Sequence, residues 1–362
     1  PGSTFKLVAL IAVLDDKKAD TSKIYASKGG VIEYYGRKVR DSKPGGYGKI
    51  SLARGFELSS NTVLVQSVYD SYKNNPKQFV DRINSYGLNK PLGLPIKGEG
   101  KPVIPQPGTN RWSGVALPWM AFGYGLSVTP LQTLTLYNAV ANDGVMVKPI
   151  FVSEIKEWNK TIKKYNTEVI NPKICSQETL DKVQAVLENV VKRGTGSKLY
   201  SKDFSMAGKT GTAQVNYKDK SKLYYASSFV GYFPADEPKY SCIIVVHKPN
   251  VAAGYYGADV AGPVFKRIAQ KIFTDSPSTN HVKNIDAKVV SQEKSYAEYY
   301  KKVEKEERIV PNVKGMEGMD AVALLENLGL KVKVIGVGRV KKQSLTSGQA
   351  FNKNQTIIIE LS

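Results

Sequence analysis

A chain of 362 residues with 41% hydrophobic and 23% charged positions has room for two or three folding units, and this balance sets aside a disordered or membrane-embedded chain. The net charge is +20, and 38 basic against 21 acidic residues fall in the first 272 positions, yet no zinc-finger spacing, RNP-like motif or arginine-rich arm accompanies them. Nucleic acid is therefore set aside in favour of an acidic polymer or anionic membrane surface as neighbour, and two cysteines rule out a disulfide framework or a Cys-rich zinc site.

In chain order, Pro1-Gly2-Ser3 is a turn opening a helix over Thr4 to Leu14 that is apolar almost all round, as a buried helix is. Its apolar run stops at Asp15-Asp16, too short for a membrane span. Because the chain opens without a start methionine, a fragment is expected, with any membrane anchor lying upstream. Residues 52–69 read as helical with a break at Ser59-Ser60-Asn61, and residues 87–118 as a Gly- and Pro-rich excursion. Thr129-Pro130-Leu131-Gln132 combines an N-cap, proline at the first helical position and a capping-box glutamine, so a helix is expected to Ala141. Another is expected over 177–192. Three strand-like runs follow, 205–217, 224–233 and 240–248, and their spacing predicts an antiparallel meander covered by a helix through Val264, Ile268 and Ile272. Helices on such a sheet make an α+β or α/β sandwich. Residues 274–308 read as a charged linker, and the last 54 residues as a small βαβ-type unit.

The chemistry begins with Ser3 and Lys6, three residues apart on one helix face. A lysine inside Phe5-Lys6-Leu7-Val8 must hide its ammonium from water; desolvation favours the neutral amine, which can take a proton from a serine hydroxyl. Lys209-Thr210-Gly211-Thr212 at the start of a strand resembles the end of a phosphate loop, but the glycine such a loop needs is Asp203 here. A lysine and two hydroxyls beside a glycine instead suit a carboxylate. Ser59-Ser60-Asn61 completes an SxxK, SxN, KTG series in the order used by penicillin-binding proteins and class A β-lactamases.

With these motifs the chain resembles the transpeptidase domain of class B penicillin-binding proteins, most like the division-specific transpeptidases. The resemblance covers residues 1 to 273 and includes Phe122-Gly123-Tyr124-Gly125, Gly194-Thr195-Gly196 and Ser228-Phe229-Val230-Gly231-Tyr232-Phe233-Pro234. Residues 309–362, opening on Val310-Pro311-Asn312-Val313, resemble one PASTA repeat. It implies the penicillin-binding serine-transpeptidase fold and peptidoglycan D,D-transpeptidation: Ser3 attacks the penultimate D-Ala carbonyl of a stem peptide, Lys6 is the base, and Ser59 relays a proton to the leaving group. Asn61 would hold Lys6 and the substrate amide; Lys209, Thr210, Gly211 and Thr212 would grip the terminal or β-lactam carboxylate; the main-chain N–H groups of Ser3 and Thr212 would form the oxyanion hole. Lys209 is expected to lower the Lys6 pKa further. The implied partners are D-Ala-D-Ala stem peptides, the lipid-linked precursor, β-lactams and divisome membrane proteins, at the outer face of a bacterial inner membrane, with no cofactor and no metal.

The rivals are weaker. A Ser-His-Asp site has only His247 and His281 to draw on, and no nucleophile elbow. A class A β-lactamase needs a deacylating glutamate, and no Glu-x-x-Leu-Asn lies between Asn61 and Lys209. A D,D-carboxypeptidase, or a non-catalytic sensor or scaffold, stays open. In the family, sheet strands and an elongated domain precede the serine motif, so the present chain is expected to lack them.

Overall fold

The computed structural model describes residues 1–158, 160–215, 223–252, 254–275 and 308–362 and divides into two compact units, Pro1–Pro277 and Ser278–Ser362. In the first, one 3₁₀ turn, Gly2–Phe5, runs into α1 (Lys6–Asp15), which has no solvent face: every side chain from Lys6 to Val13 is buried. Its C-terminal end carries Asp15 and Asp16, where the helix dipole disfavours carboxylates. Arg82 compensates by pairing with both, and the Tyr72 hydroxyl donates to Asp16 at 2.7 Å.

Around α1 the chain builds short strands and helices. Strand β1 (Ile24–Ala26) pairs antiparallel with β4 (Lys49–Ser51), enclosing a hairpin of β2 (Val31–Tyr34) and β3 (Arg37–Arg40) turned by Tyr35-Gly36, both at positive φ. Helix α2 (Leu52–Glu57) is capped by Ser51, α3 (Asn61–Tyr72) by Ser60, and α4 (Pro76–Ser85) starts on proline. The expected break at 59–61 is the junction of α2 and α3. After a largely irregular stretch come α5 (Ala116–Met120) and α6 (Pro130–Ala141), where Thr129 and Gln132 form the expected capping box. Then β5 (Met146–Val147) pairs with β8 (Val169–Asn171), flanking a hairpin of β6 (Glu154–Glu157) and β7 (Lys160–Lys164), and α7 (Gln177–Arg193) is capped by Ser176.

The meander is β9 (Ala207–Val215), β10 (Tyr224–Phe233) and β11 (Tyr240–His247), antiparallel in the order β11-β10-β9; positions 216 and 217 of the expected first run lie outside the described residues. Strand β10 is buried on both faces from Ser227 to Phe233. Val230 and Tyr232 join the core around α1, while Phe229 and Phe233 meet Phe265 of α8 (Gly257–Asp275) at ring distances of 4.7 and 5.6 Å. The covering helix is as expected, but its inner face is not: Ala261, Phe265 and Ala269 are buried, Ile272 packs at the edge and Ile268 is exposed. The phenylalanines of the sheet select a partner of aromatic size, which the aliphatic i, i+4 pattern alone does not reveal.

Residues 276–307, nearly all of the expected linker, and His281 with them, lie outside the described residues. In the second unit α9 (Gly318–Asn327) packs on β12 (Lys331–Ile335), β13 (Val340–Gln343) and β14 (Thr356–Leu361), with β14 central, parallel to β12 and antiparallel to β13. Its own core gathers Val313, Leu324, Leu325, Ile357 and Ile359. No helix among the described residues is long and apolar enough to cross a membrane.

Candidate active site

Ser3 is presented by a turn that only glycines can make. Gly2 sits at φ +61° and its N–H donates to the Gly123 carbonyl at 3.1 Å; a Cβ on Gly123, itself at φ +84°, would lie 2.0 Å from the Gly2 oxygen. The sequence stretch around Phe122-Gly123 is thus a seat for the nucleophile candidate. Ser3 is half-buried and lines a cavity of about 440 Å³ together with Ser59, Asn61, Thr195, Thr210, Thr212 and others.

One helical turn later Lys6 is fully buried. Its Nζ donates to the Ser59 carbonyl at 2.6 Å and to the Ser59 hydroxyl at 3.1 Å. Burial pushes this amine down from 10.5 to about 7, against the opposing pull of the Asp41 carboxylate. Ser59 itself sits at φ +57°, a left-handed conformation that is strained for a non-glycine residue. In that conformation both its oxygens turn to Lys6.

Asn61 occupies the cavity wall, but its amide donates to the Arg40 carbonyl at 2.7 Å, and both hydrogen bonds of Lys6 go to Ser59. The expected Asn61–Lys6 contact is therefore replaced by a Ser59–Lys6 pair. A second correction concerns Lys209. Strand side chains alternate, so Lys209 cannot share a face with Thr210 and Thr212. It is fully buried, 5.6 Å from the Phe56 ring centroid, and donates to the Thr210 carbonyl at 3.2 Å. Burial first, and then the charge of Lys6, pushes Lys209 well below its ordinary range. The repulsion between the two lysines disfavours both carrying a charge at once.

The cavity wall that Lys209 leaves is made by hydroxyls. The Thr210 and Thr195 hydroxyls share a 2.8 Å hydrogen bond, and the Thr212 hydroxyl accepts the Gly257 N–H at 3.0 Å. Gly211 lets the strand approach the first turn closely: an added Cβ would lie 2.3 Å from Ser228 Oγ and 2.9 Å from Thr4 Cγ2. Thr195 has no role in the motif reading, although Gly194-Thr195-Gly196 is noted there. What places it is Glu57, a buried carboxylate held by Arg54 and Arg193 at 2.8 Å each, whose carbonyl accepts the Thr195 N–H at 3.0 Å. Two further departures from the motif reading are Asp41 and the rim of Tyr225, Tyr255 and Tyr256, the first two rings being 4.3 Å apart. No linear signal marks them. His247 ends β11, exposed and away from the cavity lining.

Such a site can hold a carboxylated, elongated ligand against hydroxyl donors while a hydroxyl nucleophile and a neutral-poised amine lie one turn apart. Residues 1–270 match the penicillin binding protein transpeptidase domain, and residues 308–362 the PASTA domain. The chain is 30% identical over its whole length to stage V sporulation protein D of Bacillus subtilis, covering 54% of that protein, and 28% identical over 74% of its length to peptidoglycan D,D-transpeptidase FtsI of Escherichia coli K12, covering 42%. It thus spans about half the length of the curated relatives it matches. Among solved structures, penicillin binding protein 3 of Mycobacterium tuberculosis complexed with aztreonam superposes with a TM-score of 0.66 at 27% identity, over 76% of this chain and 62% of the other. With this architecture, these motifs and these relatives, the chain belongs to the penicillin-binding protein transpeptidase family and carries a PASTA domain at its C-terminal side.

Proposed function

We propose that the chain is the catalytic part of a serine-type peptidoglycan D,D-transpeptidase of septal wall synthesis and a target of β-lactams. The observation that carries this reading is Lys6: fully buried, poised near neutrality, and hydrogen-bonded to Ser59 one helical turn from Ser3. Ser3 Oγ bonds to the penultimate D-Ala carbonyl carbon while Lys6 takes the hydroxyl proton; that proton returns through the Ser59 hydroxyl to the departing D-Ala amine. An acceptor amine from a second stem peptide then attacks the ester and frees Ser3. The N–H groups of Ser3 and Thr212 stabilise the oxyanion, each worth about 3 kcal/mol in such a role. Thr210 and Thr212 hold the substrate carboxylate across Gly211, Asn61 the substrate amide, and Lys209 supports the strand from its other face. The division into residues 1–273, a linker 274–308 and a PASTA unit 309–362 belongs to the same proposal. So do a position at the outer face of the bacterial inner membrane, and the lipid-linked precursor and divisome membrane proteins as partners.

The test is mass spectrometry of the chain after exposure to penicillin. A single penicilloyl adduct on Ser3, absent in Ser3→Ala with its fold intact, is the expected result; an adduct elsewhere, or unchanged labelling of the variant, sinks the assignment. D-Ala released from a stem-peptide donor with and without an acceptor amine separates transpeptidation from hydrolysis.

A further inference from the structure

The residues on both sides of Ser59 are tied to one segment, residues 40–47, running from the end of β3 towards β4. Before Ser59, the Leu58 carbonyl accepts the Tyr47 hydroxyl at 3.3 Å; after it, Asn61 donates to the Arg40 carbonyl. Between these ties lies Asp41. Its carboxylate accepts the Thr62 N–H at 3.0 Å, the Thr62 hydroxyl at 2.8 Å and the Ser60 hydroxyl at 3.1 Å, so it caps α3 from outside the helix. The segment is itself fixed: the Asp41 N–H reaches the Gly30 carbonyl and the Tyr47 N–H the Ser27 hydroxyl, both at 2.8 Å. A serine at φ +57° persists only where its surroundings over-determine it. These ties supply that constraint. Among the described residues, the ionisable groups that act on or respond to the Lys6 charge are Asp41, from this segment, and Lys209, from β9.

We propose that Asp41 is a positioning residue for acyl transfer: it clamps the turn that keeps Ser59 bonded to Lys6, and it sets its negative charge against the Lys6 amine. The proposal rests on the reading of Ser3 as the nucleophile. Asp41→Asn keeps one oxygen for the Thr62 N–H, trades the other for a donor and loses the charge, so the ties weaken while the midpoint of the pH profile reads the charge alone. With the charge gone, Lys6 releases its proton at lower pH.

Acylation rates of the 362-residue chain with a fluorescent penicillin, followed from pH 5 to 10, test this. For Asp41→Asn the plateau rate is expected to fall at least about tenfold, as ties to an ionised acceptor weaken. The midpoint of its acid limb is expected to move down by about half a pH unit or more. Thr62→Val, which removes one tie and keeps the charge, lowers the rate with the midpoint unmoved. An Asp41→Asn profile with the wild-type midpoint overturns the proposal, since a merely structural residue changes only the rate. Should Asp41→Asn melt below the assay temperature, Asp41→Ser, which also removes the charge and keeps a hydroxyl acceptor, decides by the same rule: a midpoint moved down supports the proposal and an unmoved one overturns it. A wild-type chain that takes up no label fails the function itself, and this inference with it.

Discussion

Lys6 illustrates how burial converts an ordinary side chain into a base. An ammonium without water is costly, so the folded chain gives up this proton near pH 7 while an exposed lysine keeps it to about 10.5. The acylation rate is accordingly expected to rise through about pH 7 and level off above it, measured as second-order labelling by penicillin; a limb near 10 contradicts a buried base. The same shift has a sign for stability. Between about 7 and 10.5 the unfolded chain binds more protons at this position than the folded one, so the contribution of Lys6 to stability grows as pH rises through that window. Chemical denaturation at pH 6.5 and 9.5 is expected to show wild type gaining on Lys6→Met. Motif spacing names Ser3, Lys6, Ser59, Asn61 and the Lys209–Thr212 strand, and the fold gathers Ser3, Ser59, Asn61, Thr210 and Thr212 around one cavity. The hydrogen-bond partner of Asn61 and the inward turn of Lys209 are not legible in the same way, because both depend on which neighbour a side chain meets.

At the scale of elements, close approach of backbones assembles the site. Gly257, at the start of α8, lies over β9 and β10 so tightly that a Cβ would stand 2.4 Å from the Gly211 carbonyl and 2.3 Å from that of Ser228. Gly257→Ala is therefore expected to cost about 1–3 kcal/mol in thermal or denaturant unfolding. It should also lower penicillin acylation well beyond what that stability loss explains, since its N–H holds the Thr212 hydroxyl. An alanine variant with wild-type labelling refutes this link. The long helices were legible from periodicity and caps: Thr129 with Gln132, the one-faced apolar period of α7, and the apolar α1. The two-stranded pairs β1–β4, β2–β3, β5–β8 and β6–β7 were not, being two to five residues long, too short for alternation to register. The face of α8 was misread because a size match to Phe229 and Phe233, not hydrophobicity alone, selects Phe265.

For the whole molecule, the two units have separate cores: in the first, one cluster around α1 and another between the meander and α8; in the second, one around α9 and β14. Deletion of residues 308–362 is expected to leave the rate of penicillin acylation within about twofold, because each unit is built on its own core, and to remove one of two transitions in a calorimetric scan. A large loss of labelling in the shortened chain shows that the second unit supports the first. The order of SxxK, SxN and KTG, the buried character of the first helix and the meander were determined by the sequence, because spacing and hydrophobic period are properties of a line of residues. Tertiary structure alone decided that Lys6 pairs with Ser59, that Lys209 lies behind the strand, and that Asp41 and Glu57 brace the site. Those depend on groups tens to more than a hundred residues apart meeting in a space that water has left, where each polar atom must find a partner and each charge is re-weighed by its surroundings.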